Sequence, residues 1–75
     1  MNAKVLIVED QTLIANAIAS ELKENQFEIL AIYDSGEETI KSLQTELPDI
    51  IIMDIALAGK LDGIETSKRI NQKFR

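Results

Sequence analysis

The sequence predicts an α/β fold, a doubly wound parallel sheet built βαβαβα with strand order 2-1-3. Three observations lead there. Two continuous apolar runs, Val5-Leu6-Ile7-Val8 and Ile50-Ile51-Ile52-Met53, are bounded by polar residues, the pattern of strands buried on both faces. Between the strand-like runs the apolar period changes to that of a helix. Each connection is long enough for the right-handed helical crossover that a parallel strand pair requires.

The elements follow in chain order. Lys4 to Val8 reads as the first strand. Leu13, Ile14, Ala17, Ile18 and Leu22 then recur at helical spacing and predict a helix from Gln11 to Glu24, with Asn25 as its left-handed stop. Phe27 to Tyr33, rich in aromatic and β-branched residues, is the second strand. Ser35 with Glu38 forms a capping box for a second helix, whose apolar stripe is Ile40, Leu43 and Leu47. Pro48 closes that helix, since it lacks an N–H and restricts the residue before it. Ile50 to Met53 is the third strand, residues 54–61 a loop. Asp62-Gly63-Ile64-Glu65 repeats the capping logic and opens a third helix carrying Ile64, Ile70 and Phe74.

Seventy-five residues make at most one small domain, and a chain of this size buries only about 60% of its unfolded surface. There is no cysteine to supply disulfides or thiolate ligands. Thirteen acids against eight bases argue against a nucleic-acid face. The late basic group Lys68, Arg69, Lys73 and Arg75 suits a helix C-terminus better than a phosphate grip. The N-terminal apolar stretch is too short and too acidic for a signal peptide or a membrane span. A soluble intracellular protein is expected. The chain has no histidine, so any chemistry must run on carboxylates.

Both apolar runs end in acids: Glu9 and Asp10 after the first, Asp54 after the third strand. Open α/β sheets bind ligands at the carboxyl ends of their strands, and the order 2-1-3 makes strands one and three neighbours at the switch point. The three carboxylates are therefore expected to converge. Such a group raises its own pKa values unless a cation neutralises it, and a hard divalent ion suits it, magnesium first, then manganese or calcium. With the metal present Asp54 could act as a carboxylate nucleophile toward a phosphoryl group. A plainer account has Glu9 and Asp10 only beginning the first helix and Asp54 a loop residue. The three acids on neighbouring strands favour the metal site. Asp62, before Gly63 and Glu65, is a helix cap. The turn Glu9-Asp10-Gln11-Thr12 lacks the glycines of a dinucleotide or P-loop site.

Three blocks, Val5-Leu6-Ile7-Val8-Glu9-Asp10, Pro48-Asp49-Ile50-Ile51-Ile52-Met53-Asp54 and Asp62-Gly63-Ile64-Glu65, together resemble the receiver domain of two-component response regulators. The resemblance implies a flavodoxin-like fold. It implies that Asp54 accepts a phosphoryl group from a histidine of a sensor kinase or histidine phosphotransfer protein. Asp10, Asp54 and the backbone carbonyl of Ala56 would bind Mg2+ or Mn2+, with Glu9 helping through a water. A cytoplasmic signalling module follows, not an enzyme, with no direct nucleic-acid or membrane contact.

The family fold has five strands and five helices, and residues 1–75 match its first three βα units. The hydroxyl and lysine that respond to the phosphoryl group would lie on later strands, so the switch is expected to be impaired in this form. An uncovered third strand invites pairing with another chain, and a homo-oligomer through that edge or through apolar helix faces is expected. Two rivals differ in kind. One is a non-catalytic half-domain that binds other receivers. The other is an aspartate-nucleophile phosphatase, whose usual second aspartate falls at Ala56.

Overall fold

The computed structural model describes residues 2–54 and 62–73. Its elements are β1 (Lys4–Val8), α1 (Thr12–Glu24), β2 (Glu28–Tyr33), α2 (Gly36–Ser42), β3 (Ile50–Met53) and α3 (Gly63–Lys73). The strands form one parallel sheet in the order β2-β1-β3. The expected topology is the observed one. The loop expected over residues 54–61, apart from Asp54, and the apolar contact of Phe74 lie outside the described residues.

β1 is the centre of the molecule because every residue from Val5 to Val8 is apolar and both faces of the strand are covered. Val5, Ile7 and Val8 are fully buried and Leu6 nearly so, each side chain contributing about 1.5–3 kcal/mol. Val5 and Ile7 point to one face, against Ala15, Ala19 and their neighbours on α1. Leu6 and Val8 point to the other, with Leu43 after α2 and Ile70 of α3. In β2 the register against β1 jumps from Val5–Ile29 to Leu6–Ala31. Leu30 is the additional residue, and the bulge turns Ala31 onto the Leu6 face instead of the Ile29 face.

The helices depart from the sequence expectation in which side chains they bury. On α1 the buried stripe is Ala15, Ile18, Ala19 and Leu22, while Leu13 is 85% exposed and Ile14 and Ala17 also face out. Small residues at the contact let the helix backbone lie close to the sheet, so alanine is chosen over the larger Leu13. The left-handed residue after α1 is Gln26 (φ 68°), not Asn25 (φ −99°). Phe27 N–H donates to Leu22 O (3.0 Å) and Gln26 N–H to Lys23 O (3.0 Å), the bond pair of a Schellman stop.

Ser35 caps α2 as expected, its Oγ accepting from Glu38 N–H at 3.3 Å. The helix nevertheless stops at Ser42, well before Pro48. Ser42 Oγ donates to Thr39 O and Thr45 Oγ1 to Ser42 O, both at 2.8 Å, and tight three-residue bonds at Gln44 and Thr45 close the turn. Leu47 is consequently 60% exposed instead of belonging to the helix stripe. On α3 the inward positions are Gly63, Thr66 and Ile70, which leaves Ile64, one step off that face, 56% exposed. β3 is less buried than its apolar run suggests. Among the described residues it has a strand on one side only, and Ile50 is 41% exposed.

Candidate functional site

The carboxyl end of β1 is tied to both neighbours by backbone hydrogen bonds. Glu9 N–H donates to Tyr33 O at the end of β2 (2.9 Å), and Asp54 N–H donates to Val8 O at the end of β1 (3.0 Å). The β1–β3 register, Val5 with Ile50 through Val8 with Met53, brings Asp54 level with Glu9. Carboxylate oxygens of Glu9, Asp10 and Asp54 all lie within 4.8 Å of one another. The three acids expected to converge do so.

Their environments differ. Glu9 is 7% exposed, and its Oε2 is buried without a hydrogen-bond partner. Asp10 and Asp54 are partly exposed. Burial holds the Glu9 carboxyl above its ordinary range, reinforced by a hydrogen bond with Asp54 and by the negative charges of Asp54 and Asp10; a hydrogen bond from the Asp10 backbone opposes the shift. A buried, orphaned carboxylate oxygen beside two further carboxylates is a donor set for a hard divalent cation, Mg2+, Mn2+ or Ca2+.

The plainer role for Glu9 and Asp10, capping α1, is not what the local geometry shows. The cap residue is Gln11, with extended backbone, no side-chain cap bond, and no acid in the first turn that follows. Asp62 does cap: its Oδ1 accepts from Glu65 N–H (2.8 Å) and its carbonyl from Thr66 N–H and Oγ1. It takes no part in the acidic cluster. Ala56, whose carbonyl was expected to complete the metal ligands, lies outside the described residues.

Asp34 was missed in the sequence. It lines, with Glu9, Asp10, Asn16 and Glu38, a polar cleft of about 420 Å³ between α1 and the end of β2. The signal was available, because Asp34 follows β2 as Glu9 follows β1. On the Asp54 side lies a more apolar groove of about 350 Å³, bounded by Ile14, Ile18, Ile52 and Met53.

A family model described as the response regulator receiver domain matches residues 5–75. The chain is 38% identical over 73 residues to the alkaline phosphatase synthesis transcriptional regulatory protein PhoP of Bacillus subtilis (strain 168). That match covers 97% of this chain and 30% of the relative. Among solved structures, the signal receiver domain of a modulated diguanylate cyclase from Desulfovibrio desulfuricans G20 is 38% identical with a TM-score of 0.88, covering 95% of this chain and 57% of that one. A putative response regulator from Chloroflexus aurantiacus J-10-fl is 31% identical with a TM-score of 0.92, covering 99% of this chain and 59% of that one.

Proposed function

The chain belongs to the response regulator receiver domain family, and from that premise we propose that Asp54 is its phosphoryl acceptor. The observation that carries the reading is the meeting of Asp54 with Glu9 and Asp10 at the carboxyl ends of adjacent strands. Asp54 and Asp10, with the carbonyl of Ala56, would hold Mg2+ or Mn2+, and Glu9 would complete the set through a water. When bound, the ion offsets charge on the phosphoryl oxygens, which is most of what this transfer asks of a protein.

The chain's own residues do the rest. An Asp54 carboxylate oxygen attacks phosphorus in line, the new P–O bond forms an acyl phosphate, and the P–N bond of the donor breaks with its electron pair returning to the imidazole. The donor histidine would belong to a sensor kinase or phosphotransfer protein, and residues 1–75 hold no histidine of their own. The module is a signalling switch that does not turn over a diffusible substrate, and its place is the cytoplasm. No helix among the described residues is long and apolar enough to cross a membrane.

Incubation with Mg2+ and acetyl phosphate tests the reading. Stable, Mg2+-dependent phosphate on Asp54, mapped by mass spectrometry and absent from Asp54→Asn, is the expected result. Rapid turnover of the donor would favour a phosphatase. No label on the wild-type chain would sink the acceptor reading.

Two further parts of the proposal concern the 75-residue chain itself. The chain spans 57–59% of the length of the similar receiver chains, which supports reading residues 1–75 as the amino-terminal portion of such a domain. The half-exposed edge of β3 and the outward Leu13 and Ile14 support self-association. Sedimentation at rising concentration checks this, and a folded monomer throughout would exclude it.

A further inference from the structure

β3 is apolar at every position, Ile50-Ile51-Ile52-Met53, so its side chains carry little information about register. In an alternating strand a one-residue slip exchanges the core and solvent faces. Here a slip substitutes one apolar residue for another on each side of the sheet. Yet the proposed chemistry depends on register, because each step moves Asp54 by about 3.3 Å and turns its side chain to the other face.

What holds the register lies at the far end of the strand. Lys4 N–H donates to Asp49 Oδ2 at 2.7 Å, and Asp49 N–H donates to Lys4 O at 2.8 Å. Asp49 thus grips the first residue of β1 through both its side chain and its backbone. A slip that carries β3 backward would draw the Asp54 carboxylate in beside buried Val8, which is costly. A forward slip would break both Asp49 bonds and bring Pro48, which has no N–H, opposite Lys4. The two acids bracket the uniform run, one at each end.

We infer that Asp49 is a positioning residue for Asp54: its two-way bond to Lys4 sets β3 against β1 and so aligns the proposed phosphoacceptor with Glu9 and Asp10. The inference rests on the reading of Asp54 as acceptor, and its test separates the two. In the 75-residue chain, the hydrogen bond from Asp54 N–H to Val8 O is read by NMR through-bond coupling, and Mg2+ affinity by titration of the same samples. Asp49→Asn keeps a side-chain oxygen acceptor and should match the wild type in both. Asp49→Ala should weaken or split the Asp54–Val8 signal and loosen Mg2+ binding about three- to tenfold, the scale of one lost hydrogen bond.

An Asp49→Ala chain with both readouts intact overturns the inference. So does an Asp49→Asn chain as impaired as the alanine variant. Should Asp49→Ala fail to fold, the asparagine variant decides, since an intact Asp54–Val8 bond upholds the inference and a lost one refutes it. If even the wild type binds no Mg2+, the metal reading fails while the hydrogen-bond readout still decides the register.

Discussion

The backbone of Gly36, at the start of α2, lies directly against the side chain of Thr66 in α3. A Cβ built on Gly36 would collide with Thr66 Oγ1 and stand only 3.0–3.1 Å from its Cβ and Cγ2. Rotating the threonine would move its hydroxyl and methyl but not its Cβ, which stays at 3.0 Å. Thr66 is also fully buried, its hydroxyl donating to Asp62 O at 2.7 Å. Alanine would ordinarily favour a helix over glycine by about 1 kcal/mol. Here we expect Gly36→Ala to destabilise the fold by about 1–3 kcal/mol in thermal or urea unfolding. The added change Thr66→Ala should recover part of that loss, as two contacting sites do not add.

Gln26 offers the opposite result. It holds φ 68° in the stop after α1, a conformation that costs a side-chain-bearing residue about 1–2 kcal/mol. Its own side chain is exposed, and the bonds that close the turn come from the backbone. Gln26→Gly should therefore raise stability by about 0.5–1 kcal/mol, part of the gain being offset by glycine's greater freedom in the unfolded chain. Urea unfolding with an unchanged m-value is the check.

The Glu9 carboxyl gives a pH dependence with a definite sign. Burial first, then Asp54, then Asp10 hold it above its ordinary 4.5. Between 4.5 and the raised native value the folded chain keeps a proton that the unfolded chain has lost. This group's contribution is therefore complete below 4.5 and is lost as pH rises through the native pKa. In EDTA, thermal stability should fall across that window. With Mg2+, which needs the ionised carboxylates, the trend should reverse, and Mg2+ at a hundred times its Kd should add about 2.7 kcal/mol. Melting temperature against pH, with and without metal, checks both arms.

Glu9→Gln separates structure from binding. It removes a charge from the acidic cluster and leaves the backbone bond from residue 9 to Tyr33 O available. The metal-free variant should be more stable than the wild type above the Glu9 pKa. Its Mg2+ affinity should fall roughly 10–100-fold, as for loss of an outer-shell partner. Calorimetric titration and thermal melts on the same protein distinguish the two effects. Equal Mg2+ affinity in both chains would remove Glu9 from the site.

Strand identity was legible because β1 and β3 are unbroken apolar runs bounded by polar residues. Helix starts were legible where a side chain performs the cap, as Ser35 and Asp62 do. The end of α1 at Glu24 was legible as well, and so were Ile18, Leu22, Leu43 and Ile70 as inward residues. The end of α2 and the rest of the helix faces were not. Leu13, Leu47 and Ile64 all fit an apolar period, yet each is solvent-exposed. Periodicity states that a stripe exists, while close packing chooses between adjacent stripes. On α1 that choice fell on Ala15 and Ala19, whose small side chains admit the sheet. At the end of α2 it was the Ser42 and Thr45 hydroxyls that took up the carbonyls, before Pro48 was reached.

For the site, the sequence alone determined which residues could act. A chain with no histidine or cysteine and with acids closing two apolar strands has carboxylates as the charged side chains it can offer a cation. Tertiary structure decided what those carboxylates are to one another. The backbone bonds of Glu9 and Asp54 to the neighbouring strands place three acids within 4.8 Å, and burial leaves one Glu9 oxygen without a partner. Spacing along the chain cannot encode either fact, because both arise from strands distant in sequence lying side by side, with their register held by contacts such as Asp49 with Lys4.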